Sequence, residues 1–328
     1  MSQQGIVVFT LGGTIAMTGH SGGVVARLGG ADLLAGLAGR GEPDGIEVRD
    51  MRAVPSADLS FGDILDVTSA ARAAVDDGAR GVVVVQGTDT LEETAFLAGL
   101  VWDRAEPLVL TGAMRNPTLA GPDGPANLLA AIQVAAAAPA RGRGALVVLS
   151  DEIHAARHVR KSHSTSTSAF TSPDLGPVGR VTEGVPRFTA TVAALPPVTG
   201  FSRDRLAATR VALYTVTLDD DGVLLPGLAA THHGLVVAGF GVGHVPGALA
   251  PVLGELAAAM PVVLATRTGA GPVLAATYGA PGSERDLRAR GLTGAGLLHP
   301  YKARVLLRLL VAAGASREQI AAAFAEFG

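Results

Sequence analysis

The stretch Val82-Val-Val-Val-Gln-Gly-Thr-Asp-Thr-Leu-Glu-Glu-Thr94 passes from an apolar run through a polar turn into a helical pattern. A run that is apolar at every position, rather than at alternate ones, is typical of a strand buried on both faces of a parallel sheet. Thr90-Leu-Glu-Glu has the spacing of a capping box, so we expect a helix over Thr90–Leu100. Strand, turn and helix in this order form the repeating unit of α/β folds.

The same alternation recurs along the N-terminal part of the chain. Apolar runs predict strands, and apolar positions near helical spacing predict helices. The predicted strands are Ile6–Phe9, Val82–Val85, Leu108–Leu110 and Ala145–Leu149, and the predicted helices are Phe61–Asp77 (N-cap Ser60), Thr90–Leu100 and Asp123–Ala138. The pattern predicts an α/β fold whose larger N-terminal domain, residues 1–190, holds a doubly wound, mostly parallel sheet with flanking helices.

A second, shorter alternation predicts a smaller C-terminal α/β domain over residues 208–328. Between the two, residues 191–207 contain Leu195-Pro-Pro-Val-Thr-Gly200, which we interpret as part of a linker because Pro and Gly interrupt regular structure. The predicted C-terminal elements are strands Arg210–Tyr214, Leu235–Ala238 and Val262–Ala265, and helices Gly222–Thr231, Pro246–Ala259, Tyr301–Ala313 and Arg317–Phe327.

Composition excludes several classes of protein. The chain has 328 residues, 48% hydrophobic and 17% charged, so it can bury enough apolar surface to fold. The net charge of −3 and the lack of a basic stretch argue against nucleic-acid partners. No apolar run is long enough to predict a membrane span, and the first residues lack a signal-peptide pattern. The absence of cysteine excludes disulfides, thiolate metal ligands and a cysteine nucleophile, and is consistent with a cytoplasmic protein.

Polar residues directly follow two of the predicted strands. In open α/β sheets, ligands bind beyond the carboxyl ends of the strands, so these residues are candidates for chemistry. After the first strand, Gly12 and Gly13 allow a tight turn and close approach of a ligand, and Thr14 follows them. After the second, Thr88 and Asp89 offer a hydroxyl for proton transfer and a carboxylate for a substrate ammonium group. The alternatives are a glycine turn with a capping threonine, and an aspartate that caps a helix.

A third polar segment, His154–Ser168, follows the strand predicted over Ala145–Leu149. Its Lys161, held close to Asp89, would supply positive charge or, when desolvated, a proton acceptor. The alternative is a solvated basic loop. The segment also contains three histidines, but no acidic residues at ligand spacing accompany them and H-E-x-x-H is absent. We therefore expect no metal site.

Four blocks, in this order, resemble the bacterial-type L-asparaginase family, which includes glutaminase-asparaginases. Leu11-Gly-Gly-Thr-Ile-Ala16 and Gln86-Gly-Thr-Asp-Thr-Leu-Glu-Glu-Thr-Ala95 are similar to its two active-site signatures. Gly112-Ala-Met-Arg115 with Asp123-Gly-Pro-Ala-Asn127, and later Lys302-Ala-Arg-Val-Leu-Leu307, are similar to further family blocks. The resemblance covers nearly the whole chain, from Ile6 onward.

The resemblance implies a two-domain α/β fold and hydrolysis of L-asparagine to L-aspartate and ammonia without a cofactor. It implies that Thr14 is the nucleophile and that Thr88, Asp89 and Lys161 form a second catalytic set. The substrate-binding residues that it implies are Gly13, Ser56, Thr88, Asp89, Ala113 and Glu284, with Ser56 on the substrate carboxylate and Asp89 on its ammonium group. Glu284 is expected to reach the active site of a neighbouring subunit. Family enzymes are usually tetramers built from tight dimers, so we expect a cytoplasmic homotetramer.

The chain departs from the family pattern at several positions. Members usually carry a tyrosine in the loop after the first threonine, where it helps to activate that threonine, but Met17–Leu28 contains none. The candidates to replace it are Thr18, His20 and Arg27. Elsewhere Ala57 stands for a glutamine, His244 for an asparagine and Gln86 for a histidine.

Two other functions stay open from the sequence. A glutaminase-asparaginase of broad amide preference would carry the same motifs, because one methylene changes discrimination by only about 1–3 kcal/mol. A non-catalytic amino-acid-binding protein is the alternative from another class, and the missing loop tyrosine motivates it. It is equally open whether Thr14 forms a covalent acyl-enzyme or water attacks the amide directly.

Overall fold

A computed structural model describes residues 5–13, 17–18, 25–26, 29–37, 39, 41, 43 and 45–328. The chain divides into two compact units, Met1–Pro197 and Val198–Gly328. The division falls within residues 191–207, the stretch predicted to be a linker. Each unit has its own sheet and flanking helices, so the predicted two-part α/β fold is confirmed.

The N-terminal unit alternates strands and helices along the chain. In order, its elements are β1 (Ile6–Thr10), β2 (Met17–Thr18), β3 (Val25–Ala26), α1 (Gly30–Ala35), β4 (Ile46–Asp50), α2 (Phe61–Asp76), β5 (Gly81–Val85), α3 (Leu91–Gly99), β6 (Leu108–Thr111), α4 (Gly124–Ala136), β7 (Ala145–Leu149), β8 (Glu152–Ala155), β9 (Arg160–Lys161), β10 (Phe170–Thr171), β11 (Gly179–Thr182) and β12 (Val185–Phe188). The four strands predicted in this part are all present, within one residue at each end.

Eight of these strands form one sheet in the order β12-β11-β8-β7-β6-β5-β1-β4. The five from β4 to β7 are parallel, and β8, β11 and β12 extend the edge in antiparallel fashion. The chain passes from β1 to β4 on one side and then to β5 on the other, so the strand order reverses between β1 and β5. Ligands of open α/β sheets bind at such a switch point, beyond the carboxyl ends of the strands.

Apolar burial explains why these segments fold as they do. Every residue of β1, β5 and β7 is buried, as expected for strands covered by helices on both faces. Helix α2 begins after Ser60, whose side chain accepts from Asp63 N at 3.2 Å while the Asp63 carboxylate accepts from Ser60 N at 2.9 Å. This reciprocal pair forms the capping box that fixes the start of α2.

The capping box predicted at Thr90 does not form. Helix α3 begins at Leu91, and the Thr90 side chain accepts no hydrogen bond from the helix. Its hydroxyl instead donates to the backbone oxygen of Ser56 at 3.0 Å. A long-range contact has therefore replaced the local one, and it ties the start of α3 to the segment that follows β4.

The C-terminal unit is a smaller parallel α/β structure. Its elements are α5 (Arg203–Ala208), β13 (Val211–Thr215), β14 (Gly234–Gly239), α6 (Ala250–Ala259), β15 (Val262–Thr266), α7 (Glu284–Ala289), β16 (Thr293–Gly294), α8 (Pro300–Ala313) and α9 (Arg317–Phe327). The strands pair in parallel in the order β13-β14-β15-β16. Helix α5 begins within the stretch predicted as linker and ends one residue beyond it. Ser202 caps this helix by accepting from Arg205 N at 3.2 Å.

One predicted helix of this unit is wrong. The segment Gly222–Thr231 contains only a short 3-10 turn over Leu228–Ala230. Gly222 and Gly227 have φ values of +71° and +79°, which a right-handed helix cannot include. The helix predicted over Pro246–Ala259 is present from Ala250 and is preceded by another 3-10 turn. Within the described part of the chain, no helix has the length and apolar character needed to cross a bilayer.

Candidate active site

The loops after β1 and β5 lie against each other at the switch point. Leu11 N donates to Val85 O at 2.8 Å, which ties the first loop to the end of β5. Gly13 has φ +93°, and a Cβ there would lie 2.1 Å from Gly87 N. Gly12 has φ +99°, and its Cβ would lie 2.7 Å from Val54 N. Both positions therefore require glycine, because of the positive φ and because the neighbouring backbone lies so close.

Thr88, Asp89 and Lys161 come together just beyond β5. Lys161 Nζ donates to Thr88 Oγ1 at 2.9 Å and to Asp89 Oδ1 at 2.6 Å. The lysine side chain is 16% exposed, whereas that of Asp89 is 72% exposed. The cation is thus largely withdrawn from water, and most of the carboxylate stays open to a ligand. The alternative that Lys161 belongs to a solvated basic loop is therefore excluded.

A short hairpin of β9 and β10 holds Lys161 in place. Lys161 pairs with Phe170 across the hairpin, and Ser162 N donates to Ala169 O at 2.7 Å. The backbone N–H of Lys161 donates to the buried Glu92 carboxylate in α3 at 3.2 Å. The ammonium group and the backbone of Lys161 are both bound to the segment that contains Thr88, so the approach of the lysine is fixed at two points.

Ser56 packs against the loop after β5. It is 3% exposed, and a Cβ on Gly87 would come within 2.8 Å of Ser56 Oγ. The Thr90 hydroxyl donates to the backbone oxygen of Ser56. Gln86 Nε2 donates to Gly87 O at 3.1 Å and to Thr90 Oγ1 at 3.4 Å. Gly87 therefore allows the serine and the loop after β5 to pack in direct contact.

Ala113 lies in the loop after β6 and is fully buried. A Cβ on the preceding Gly112 would be 3.2 Å from Thr88 Cγ2, so this loop packs on the Thr88 side chain. The Asp123 carboxylate accepts from Met114 N at 3.1 Å and Arg115 N at 2.8 Å. The loop is thus held from the start of α4, the second half of the block quoted above.

Some residues that the sequence predicts for the site lie outside the described part of the chain. Thr14, His20 and Arg27 lie outside the described residues, so the expected nucleophile and two candidates for the missing tyrosine have no described geometry. Of Thr18 only its place in β2, paired with Val25, is described.

Glu284 lies in the C-terminal unit and is fully buried there. Its Oε1 accepts from Thr277 N at 2.8 Å and Tyr278 N at 2.6 Å, and its Oε2 lies 3.2 Å from His244 Nε2. Burial raises the pKa of this carboxyl, but the backbone donors and His244 outweigh it, so the pKa lies below the ordinary value of 4.5. The buried carboxylate is therefore held ionised within its own unit.

Two histidines of the third polar segment, His154 and His163, make ordinary structural contacts. His154 is fully buried, with Nδ1 3.0 Å from Ser172 Oγ and Nε2 3.2 Å from Glu152 Oε2. His163 Nδ1 accepts from the backbone of Thr165 and Ser166. In the described residues no group of three or more His, Cys, Asp or Glu side chains is arranged to hold a metal ion.

Sequence reasoning missed three residues that shape this site. Thr90 binds Ser56, Glu92 binds the Lys161 backbone, and Asn127 binds Gly112 O at 3.0 Å. The capping pattern predicted at Thr90 involves Thr90 and Glu93, so it assigns Thr90 only a local contact and assigns no contact to Glu92, and the block that contains Asn127 assigns it no role. The only signal for them was their place within the blocks, since their partners are far away in the sequence.

Comparisons with known proteins identify the family of this chain. The family model for the asparaginase N-terminal domain matches residues 5–193, and that for the glutaminase/asparaginase C-terminal domain matches residues 210–324. A probable L-asparaginase of Deinococcus radiodurans is 40% identical over 257 residues, covering 76% of each chain. A glutaminase-asparaginase of Pseudomonas aeruginosa is 30% identical over 311 residues, covering 92% of this chain and 84% of the relative. The crystal structure of a probable cytoplasmic L-asparaginase from Campylobacter jejuni aligns with a TM-score of 0.86 at 30% identity, over 98% of this chain and 99% of the other.

Proposed function

Because the chain belongs to the asparaginase family, we propose that it hydrolyses L-asparagine to L-aspartate and ammonia. The observation that carries the proposal is the contact of Lys161 Nζ with both Thr88 Oγ1 and Asp89 Oδ1 at the switch point of the sheet. Amide hydrolysis needs a nucleophile, a proton route to the leaving ammonia and donors for the oxyanion. Hydroxyls, a cation and backbone N–H groups in these loops are of the types that meet those needs.

The substrate would be held by its α-amino and α-carboxylate groups. The exposed Asp89 carboxylate offers an acceptor for the ammonium group, and Ser56, packed on the same loop, offers a hydroxyl for the carboxylate. Gly13 and Ala113 would complete the binding site from the loops after β1 and β6. Fixing both ends of an amino acid aligns its side-chain amide with the reacting groups, and positioning of this kind supplies much of a catalytic rate gain.

In the proposed reaction, the Thr14 hydroxyl attacks the side-chain carbonyl carbon of asparagine. The tetrahedral intermediate then expels the amide nitrogen, which takes up a proton and leaves as ammonia, and water hydrolyses the resulting ester to L-aspartate. In the direct alternative, water attacks first and no ester forms. In both routes a proton leaves the nucleophile and another reaches the nitrogen, and Thr88 with Lys161 would carry them. Backbone N–H groups of the glycine turn and near Thr88 would stabilise the oxyanion.

Glu284 is proposed to act at the site of a neighbouring subunit in a homotetramer built from two dimers. Support comes from the family resemblance; in this chain the carboxylate is buried and held ionised beside His244. Analytical ultracentrifugation tests the assembly: a single species of four chains is expected, and a monomer with full activity would contradict it. We also propose a cytoplasmic location, which cell fractionation tests.

A glutaminase-asparaginase activity is the second candidate, since the relative from Pseudomonas aeruginosa carries that name. Ammonia release from L-asparagine, L-glutamine and D-asparagine decides between the candidates. The proposal expects the highest kcat/KM for L-asparagine. Equal kcat/KM for the two L-amides would favour the broader activity. A rise in melting temperature with L-aspartate but no ammonia from any amide would support a binding protein instead.

A further inference from the structure

Asn127 joins the loop after β6 to the loop after β7. It is 2% exposed and lies in the first turns of α4. Its Nδ2 donates to Gly112 O at 3.0 Å in the loop after β6, and its Oδ1 accepts from Ser150 N at 2.9 Å in the loop after β7. A further contact of Nδ2 with Asp123 Oδ2, at 3.2 Å, orients the amide so that the nitrogen faces Gly112.

The first branch of this network leads to Thr88. Gly112 packs closely enough that a Cβ on it would lie 3.2 Å from Thr88 Cγ2 and 2.5 Å from Gln86 O. The backbone of Gly112 thus limits where the Thr88 side chain can lie. Because Asn127 binds the carbonyl oxygen of Gly112, it fixes the backbone against which the Thr88 side chain packs.

The second branch leads to Lys161. Ser150 Oγ donates to Thr167 O at 2.6 Å, and Thr167 lies in the connection between β9 and β10. That hairpin contains Lys161, whose Nζ donates to Thr88 Oγ1. Ser150 has φ +51°, an uncommon conformation for a residue with a side chain, so the turn that presents its hydroxyl is held against a conformational cost.

We propose that Asn127 is a positioning residue that sets the placement of Lys161 relative to Thr88, acting through Gly112 on one side and through Ser150 on the other. An amide suits this position because it donates and accepts at the same time, which neither a carboxylate nor an apolar side chain of the same size can do. The proposal rests on the proposed function for its effect on turnover, whereas the contacts themselves can be tested without any activity.

Two substitutions test the Gly112 branch and the Ser150 branch of the network one at a time. Asn127→Asp keeps an acceptor for Ser150 N but loses the donor to Gly112 O, and Ser150→Gly removes only the hydroxyl contact to Thr167 while accepting the positive φ. Thr68→Val is the matched control, since it deletes a buried hydroxyl bond, to Ile64 O at 2.7 Å, that lies outside the network. All three should retain the circular-dichroism spectrum and cooperative unfolding of the unsubstituted protein.

The expected result for Ser150→Gly is a fall in kcat of roughly 10- to 100-fold with KM changed less than about threefold, because a displacement of about 1 Å costs about 100-fold. Hydrogen exchange of the Ser162 amide should become faster, while that of α4 stays unchanged. Asn127→Asp should lower kcat and also raise KM, since it releases the loop that contains Ala113. Thr68→Val should change neither kinetic constant.

Wild-type kcat and unchanged Ser162 exchange in Ser150→Gly would overturn the inference, as would an Asn127→Asp protein with normal kinetics. If Asn127→Asp does not fold, Ser150→Gly alone decides, because it leaves every backbone contact of α4 in place. Failure of the unsubstituted protein to release ammonia from L-asparagine would overturn the proposed function but would not affect the exchange measurement. The two failures are therefore distinguishable.

Discussion

Lys161 Nζ donates to Thr88 Oγ1 at 2.9 Å, although 73 positions separate the two residues in the chain. A two-stranded hairpin and the Glu92 carboxylate bring the lysine to this position. The contact gives the threonine hydroxyl a cationic neighbour that is mostly withdrawn from water, where electrostatic interactions are stronger than at an exposed surface.

Lys161→Met should lower kcat for ammonia release by about 100- to 10,000-fold, the range typical for removal of a group that transfers protons. The methionine fills the same space without the charge, so the melting temperature should stay within a few degrees. Arg180→Met is the matched control, because Arg180 is a 61% exposed cation that pairs with Glu152. A drop in Lys161→Met no larger than that in the control would remove the lysine from the mechanism.

Thr14→Ala should abolish turnover of L-asparagine, because it removes the proposed nucleophile. Binding of L-aspartate, measured by isothermal titration calorimetry, should persist, since the proposed contacts to its amino and carboxylate groups come from Asp89 and Ser56. Residual turnover above about one per cent of the unsubstituted rate would argue for direct attack by water.

Strands β1, β5 to β7 and β13 to β15 were predictable from the sequence for a physical reason, whereas β4, β8, β11, β12 and the two-residue strands were not predicted. A strand covered on both faces is apolar throughout, so runs such as Val82–Val85 stand out from their polar flanks. The segment Gly222–Thr231 was misread because its Leu and Ala content suits a helix. Two glycines with positive φ, Gly222 and Gly227, determine the backbone there, and the Pro226-Gly227 pair is a turn signal that the prediction overlooked.

The candidate site was predictable in its parts but not in its connections. Thr88 and Asp89 could be found because they end a buried strand, where ligands bind in this kind of sheet. The family resemblance pointed to Lys161, since a lone lysine in a polar loop carries no such signal. Asn127 was not predicted to have a role because it has no charge, lies inside a helix and binds partners in two distant loops.

Ser60→Ala should destabilise the protein by about 1 kcal/mol near neutral pH, because it removes the cap of α2. Hydrogen bonds from the Ser60 hydroxyl and backbone N–H, aided by Arg52, lower the pKa of Asp63 from 3.8 to about 2. A lowered carboxyl pKa stabilises the fold above the unfolded value, and this contribution disappears as pH falls through the folded value. The loss caused by the substitution should therefore shrink between about pH 4 and pH 2.

Urea unfolding across that pH range measures the effect. Ser202→Ala is the control, because Ser202 caps α5 through Arg205 N and the third helical position is Arg205, so no carboxylate completes a capping box there. Its cost should not vary with pH. An equal pH dependence in the two variants would contradict the role given to Asp63.

Glu284→Gln should lower the free energy of unfolding by about 1–3 kcal/mol at pH 7, the range for a charge-assisted hydrogen bond. Because backbone donors and His244 lower the pKa of Glu284 in spite of its burial, the ionised carboxylate stabilises the fold above about pH 4.5 and less as pH falls further. The stability of the variant should thus depend less on pH below that value. Glu255→Gln, which changes an exposed glutamate in the same unit, should leave the profile as it was.

Thr88→Val tests the central claim most directly, since it replaces one hydroxyl by a methyl group of nearly the same size at the atom that Lys161 contacts. The measurement is the rate of ammonia release at saturating L-asparagine, beside the unsubstituted protein and Thr68→Val. We predict a rate at least about 100-fold below that of the unsubstituted protein, with Thr68→Val unchanged and both variants folded. A Thr88→Val protein that releases ammonia at the full rate would contradict the assignment of asparagine hydrolysis to this site.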